Sequence, residues 1–151
     1  MKKIILPLVI LTAIMFACNN DGTSYEEQLA IDIEKIQVYL TDNGLTAQST
    51  ASGLHYIIGQ EGTGIKPTIS SVVEVEYTGK LLSGEIFDSG TLEYPLWRLI
   101  EGWQEGIPLF GVGGHGKLLI PSGLGYGSEE TGEIPANSVL IFDIELISVS
   151  N

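Results

Sequence analysis

Tyr77 and Asp88 are the first side chains whose types and spacing could do chemistry. They stand in EVEYTGKLLSGEIFDSG, residues 74–90, which reads as a hairpin about Ser83-Gly84. A two-residue turn there pairs Leu82 with Glu85 and Gly79 with Asp88, and sets Tyr77 diagonally from Asp88 on one face. Val73 and Val75 share that face, so the carboxylate would lie on apolar surface, a costly placement unless a hydrogen bond satisfies it. The Tyr77 phenol can supply that bond. Phe87 points to the other face of a regular strand, so a pocket using both Phe87 and Asp88 needs a bend. Gly84 and Gly90 would permit one near Asp88-Ser89-Gly90. Hairpin geometry alone equally allows a solvated Asp88 that caps the turn.

Other candidate chemistry is thinner. GVGGHG at 111–116, followed by Lys117, comes close to a phosphate-binding loop. Leu118 stands where a magnesium-binding hydroxyl belongs, and Pro121 stops the helix that would hold a phosphate. The stretch reads instead as a glycine-rich turn into a strand. His55 and His115 have no metal-ligand spacing, and both are expected at the surface. No GxSxG occurs, and nothing marks a Ser-His-Asp triad. A lone Cys18 excludes an intramolecular disulfide, a Cys-rich zinc site and a CxxC redox pair. The residues imply no cofactor and no metal.

A chain of 151 residues suits one folded domain with an appendage, and 19 glycines among short β-branched and aromatic runs suggest strands joined by tight turns. The formal net charge is -12, and removal of Lys2 and Lys3 with a leader makes it -14. Nucleic acid is not an expected partner, because binding it needs a basic surface.

The leader is MKKIILPLVILTAIMFAC, two lysines and an apolar run too short to span a bilayer, ending on Ala17-Cys18. It resembles the lipobox of bacterial lipoproteins, although Met15 and Phe16 depart from the commonest form. That likeness implies a signal peptide over residues 1–17, lipidation of Cys18, and a protein anchored to the membrane of the bacterial cell envelope. The outer membrane, facing the periplasm or the cell surface, is the expected site.

Residues 18–51 are expected to be a tether and one amphipathic helix. Leu29, Ile33, Ile36 and Leu40 recur at helical spacing, with Glu26, Glu27 and Asp32 among the polar positions. Ser24 and Glu27 form a capping box, and Asn43-Gly44 supplies the stop. The apolar stripe fits a homodimer seam or a spacer as well as it fits packing on its own domain. LTAQSTAS reads as a linker, and the domain is expected to begin near Ser52.

Strands dominate after that point, over 54–58, 72–82, 85–88, 117–120 and 139–149. In the last, Leu140, Phe142, Ile144 and Leu146 alternate with Asp143 and Glu145, so one face should be buried and the other wet. Leu99, Ile100 and Trp103 have helical spacing between Pro95 and Pro108, which leaves room for a short helix only. The expected class is α+β, a curled antiparallel sheet, or half-barrel, wrapped on one short helix and preceded by the amphipathic helix.

Four motifs in order, VEVEYTGKLLSGEIFDSG, LIEGWQEGIPL, KLLIPSGLGYG and IPANSVLIFDIELISV, resemble the FKBP-type peptidyl-prolyl cis-trans isomerases over about the last hundred residues. The resemblance implies isomerisation of X-Pro bonds during folding of exported proteins, with no cofactor. Proline-containing polypeptides would be substrates and macrolides inhibitors. It further implies a proline pocket of Tyr77, Phe87, Asp88, Leu99, Ile100, Trp103, Tyr126, Ile134 and Phe142, in which Asp88, Tyr126 and Tyr77 assist the rotation. Leu92, where the family places an aromatic wall, and Glu133, before Ile134, depart from the pattern. A module that binds or holds proline peptides with little catalysis is the alternative function class.

Overall fold

The structure is a computed structural model that describes residues 22–150. Cys18 and the leader lie outside the described residues. The first element, α1 (Tyr25–Asp42), starts where its sequence says it should: the Glu27 N–H donates to Ser24 Oγ at 3.3 Å and the Ser24 N–H to Glu27 Oε2 at 3.0 Å. It stops at Gly44, whose φ of +60° suits a residue without a Cβ.

Six strands follow: β1 (Gln48–Ser49), β2 (His55–Gln60), β3 (Val72–Leu81), β4 (Ile86–Pro95), β5 (His115–Ile120) and β6 (Leu140–Ser150). They form one open antiparallel sheet in the order β1-β2-β5-β6-β3-β4. The short helix α2 (Glu101–Gly106) lies between β4 and β5 in the chain. Gly102 and Gly106, one turn apart, let it lie directly on β5. A methyl group at these positions would come within 2.5 Å of Ile120 and 2.7 Å of Leu118. The α+β class is as expected.

The inner face of the sheet carries the larger core. Val73, Val75, Leu118, Ile120, Leu140, Phe142, Ile144 and Leu146 pack with Trp103 and Ile107 of the α2 region. The outer face is not uniformly wet. Near Asp143 it stays polar, with the carboxylate accepting from Lys80 Nζ at 2.7 Å and from Lys117 Nζ. Partial burial works against ionisation there, but the two ammonium groups hold the Asp143 carboxyl below its ordinary range. At the other end Ile36 and Leu40 of α1 cover Leu119, Val139 and Ile141, forming a second core. Ile141 is therefore buried although the strand alternation pointed it outward. The apolar stripe of α1 is in part committed to its own sheet.

Three local expectations change with this packing. The stretch expected as a linker contains β1, with Gln48 opposite Tyr56 and Ser49 opposite His55. His55 is buried, because α1 closes over it: Nδ1 lies 2.8 Å from the Gly53 carbonyl oxygen and Nε2 lies 3.0 Å from Gln37 Nε2. His115 is exposed. The GVGGHG stretch turns the chain into β5, with Gly113 at φ +81°.

Candidate functional site

The β3–β4 hairpin sets the first wall of the site, through a turn other than the expected one. The Leu81 N–H donates to the Glu85 carbonyl at 2.9 Å, so three residues, Leu82-Ser83-Gly84, make the turn, with Gly84 at φ +89°. Lys80 then faces Ile86 while Gly79 faces Asp88, leaving Phe87 as an extra residue on β4. This bulge, rather than a bend at Ser89-Gly90, brings Phe87 and Asp88 into one cavity. Gly79 makes room for the ring, since a methyl there would lie 2.6 Å from Phe87 Cζ.

Across the hairpin the Tyr77 hydroxyl donates to Asp88 Oδ2 at 2.8 Å, the bond the diagonal register predicts. Burial, followed by the bond to Asp88 and that residue's charge, pushes the Tyr77 phenol up to about 12. The Tyr77 phenol therefore stays a neutral donor through the neutral range. Tyr126 approaches from the loop after β5. Its phenol is also raised, by burial first and by the Asp88 charge second. The residue is 41 % exposed, and its hydroxyl makes no hydrogen bond among the described residues, so a ligand can take it.

Trp103 of α2 forms the floor. Its ring stands edge-on to Tyr77, with centroids 5.2 Å apart, and to Phe142 of β6, at 5.1 Å, and Phe142 in turn meets Phe87 at 5.6 Å. These edge-to-face pairs lock each ring against the next. Trp103 is buried, yet its indole N–H has no partner among the described residues.

Leu99 and Ile100 enter from the turn ahead of α2, fixed by Gln104 Nε2, which donates to the Leu99 carbonyl at 2.7 Å. No backbone carbonyl accepts from the Ile100 N–H among the described residues. The cavity measures about 120 Å³ and is lined by eight of the nine residues expected there, Tyr77, Phe87, Asp88, Leu99, Ile100, Trp103, Tyr126 and Phe142. The ninth, Ile134, is buried in the adjoining core, where it bridges Thr131. Leu92 takes its place in the lining. Leu92 stands where the resemblance places an aromatic wall, and the strand expected over 85–88 runs on far enough to carry it. Continued to Pro95, the period-2 alternation from Asp88 through Gly90 puts Leu92 on the cavity face. Among the described residues no group of three His, Cys, Asp or Glu side chains could hold a metal ion.

This geometry can be compared with known proteins. A sequence model of the FKBP-type peptidyl-prolyl cis-trans isomerases matches residues 63–147. The chain belongs to this family. It is 42% identical over 129 residues to the FKBP-type peptidyl-prolyl cis-trans isomerase FkpA of Aeromonas hydrophila, covering 82% of this chain and 45% of the relative. It is 38% identical over 119 residues to the FKBP-type 22 kDa isomerase of Escherichia coli, covering 74% and 58%. The chain thus spans about half the length of these FKBP-type relatives. Its structure is similar to the crystal structure of Escherichia coli FkpA, with a TM-score of 0.72 at 34% identity, covering 83% of this chain and 62% of that one. It is also similar to a peptidyl-prolyl cis-trans isomerase from Pseudomonas syringae, at 0.73 and 31%, covering 87% and 99%.

Proposed function

We propose that this chain is a peptidyl-prolyl cis-trans isomerase that accelerates X-Pro isomerisation in exported proteins. The observation that carries the reading is the aromatic cavity with a fixed phenol-carboxylate pair at its rim, in a chain of the FKBP-type family. Amide resonance opposes rotation of the X-Pro bond by ~18 to 20 kcal/mol. A site accelerates rotation if it fits the twisted imide better than the planar one. An apolar cavity does so, because the planar form is charge-separated and loses the support of water there.

In this scheme Trp103 lies under the proline ring, with Phe87, Ile100 and Phe142 as walls. Leu99 and Leu92 close the sides. The Tyr126 hydroxyl and the Ile100 N–H take the neighbouring substrate carbonyls, and Asp88, oriented by Tyr77, faces the rotating carbonyl. Catalysis of cis-trans exchange in a proline tetrapeptide tests the reading. A wild-type rate equal to the uncatalysed one, with the peptide bound, would leave only a proline-binding module.

The finer assignments form part of the same proposal. Cys18 is acylated and holds the chain on the bacterial envelope, supported by the leader sequence. Labelled palmitate should enter wild type and not Cys18→Ser. A homodimer through α1 would use Ile31 and Val38, which are exposed, since Ile36 and Leu40 are already covered. Macrolide inhibitors would enter the cavity as proline mimics, with affinity altered by Leu92.

A further inference from the structure

The turn that carries Tyr126 is soft by composition. It reads Ser122-Gly123-Leu124-Gly125-Tyr126-Gly127, with glycine on both sides of the tyrosine and Gly127 at φ +70°. What stiffens it converges on Ser122. The Gly125 and Gly127 N–H groups both donate to the Ser122 carbonyl, at 2.9 and 2.8 Å. Leu124, half a turn away, is seated in the inner core, and the Asn137 N–H ties the far end to the Gly127 carbonyl at 2.9 Å.

Ser122 is in turn held from outside the turn, by the N-terminal helix. Its N–H and its hydroxyl donate to Asp32 Oδ2, at 2.8 and 2.5 Å. The other oxygen, Oδ1, accepts from Gln28 Nε2 at 2.8 Å, and Lys35 Nζ stands 3.7 Å from it. Asp32 is fully buried and Ser122 nearly so. The same helix packs along the turn at two further points. The Tyr25 ring lies over Gly123, where a methyl would come within 2.7 Å of Cε2, and Leu29 and Pro121 both lie beside Gly53. A buried carboxylate on an amphipathic helix needs a reason, since an apolar residue would serve the packing at lower desolvation cost.

We infer that Asp32 is a positioning residue for the substrate site: through Ser122 it fixes the turn that aims the Tyr126 hydroxyl into the proline cavity. The helix is then a working part of the site rather than a spacer. Asp32 acts without touching substrate, and its removal lets the glycine-flanked tyrosine swing rather than removing a contact. This rests on the isomerase reading for its main readout.

The test is a double-mutant cycle on the full chain, measuring kcat/KM on a proline tetrapeptide and, separately, Kd for the same peptide by calorimetry. Asp32→Ala is expected to lower kcat/KM about three- to tenfold, within the roughly hundredfold that a 1 Å misplacement can cost. In a Tyr126→Phe background the same substitution should change nothing further, because the hydroxyl it aims is gone. Should Asp32→Ala fail to fold, Ser122→Ala, which keeps the N–H to Asp32, runs the same cycle. Losses that multiply would overturn the inference, and so would unchanged kcat/KM and Kd in a folded variant. Wild type that binds the peptide without catalysing would sink the isomerase reading alone, and the cycle in Kd would still decide the role of Asp32.

Discussion

Two aspartates, Asp32 and Asp88, accept hydrogen bonds from hydroxyl groups of other elements, and they differ in what is left over. Both oxygens of Asp32 are occupied, one by Ser122 and one by Gln28, in a fully buried setting. Asp88 is exposed and has one bond, from Tyr77 to Oδ2, with no donor to Oδ1 among the described residues. A saturated buried carboxylate holds parts together, because any change leaves donors unpaired. A half-satisfied carboxylate at a cavity rim has acceptor capacity that a substrate dipole can meet. Burial and leftover valence separate these roles where residue type does not.

The comparison can be broken from its shared foundation downward. Trp103→Ala removes the cavity floor and a large core side chain, and a loss of ~3 to 5 kcal/mol in denaturant melts is expected, together with most activity. Asp32→Ala should come next, at about 3 kcal/mol, since it strands the Ser122 N–H in the interior. A loss under about 0.5 kcal/mol, the size of an ordinary surface substitution, would mean that Asp32 resembles Asp88 after all. Asp88→Asn should leave the melting temperature nearly unchanged and lower kcat/KM about tenfold, equivalent to roughly 1.4 kcal/mol of transition-state stabilisation. If it unfolds the domain instead, Asp88 is a structural partner of Tyr77.

The smallest effect is in alkali. The Tyr77 phenol is raised from 10.0 to about 12, so the fold favours its protonated form. That contribution is complete below pH 10 and is lost as pH rises from 10 towards 12. Tyrosinate absorbance should show two raised phenols in wild type, that of Tyr126 and, towards pH 12, that of Tyr77. In Asp88→Asn the Tyr77 phenol should titrate earlier, though still late, because burial is the first cause of the shift and remains. An unmoved titration would show that Asp88 does not act on the phenol.

Local features were legible in the chain because their causes are local. The Ser24–Glu27 box, the alternation from Leu140 to Leu146 and the Tyr77–Asp88 diagonal all rest on spacing within one element or hairpin. The positions misread depend on partners far away. Asp32 looks like a polar-face residue until Ser122, 90 residues on, comes to meet it. His55 looks exposed until Gln37 of α1 arrives, and β1 reads as linker because only two residues pair. The Phe87 bulge answers the ring's need for space over Gly79, a cross-strand fact that spacing cannot carry. The site residues themselves were named chiefly through the family likeness, and their geometry then followed.

The place of β6 in the sheet has a consequence for how the chain is made. It is the last strand described, yet it sits between β5 and β3 and joins the two halves of the sheet, Val72 facing Ser150 and His115 facing Glu145. Until residues 140–150 emerge, a growing chain holds two unconnected patches, β1-β2-β5 and β3-β4, each with a bare inner edge open to stray pairing. Closure then requires contacts of high sequence separation, which form slowly. Vectorial synthesis therefore leaves the cavity without Phe142 until β6 emerges: the ring that Trp103 and Phe87 both lean on is delivered by the strand that joins the two halves.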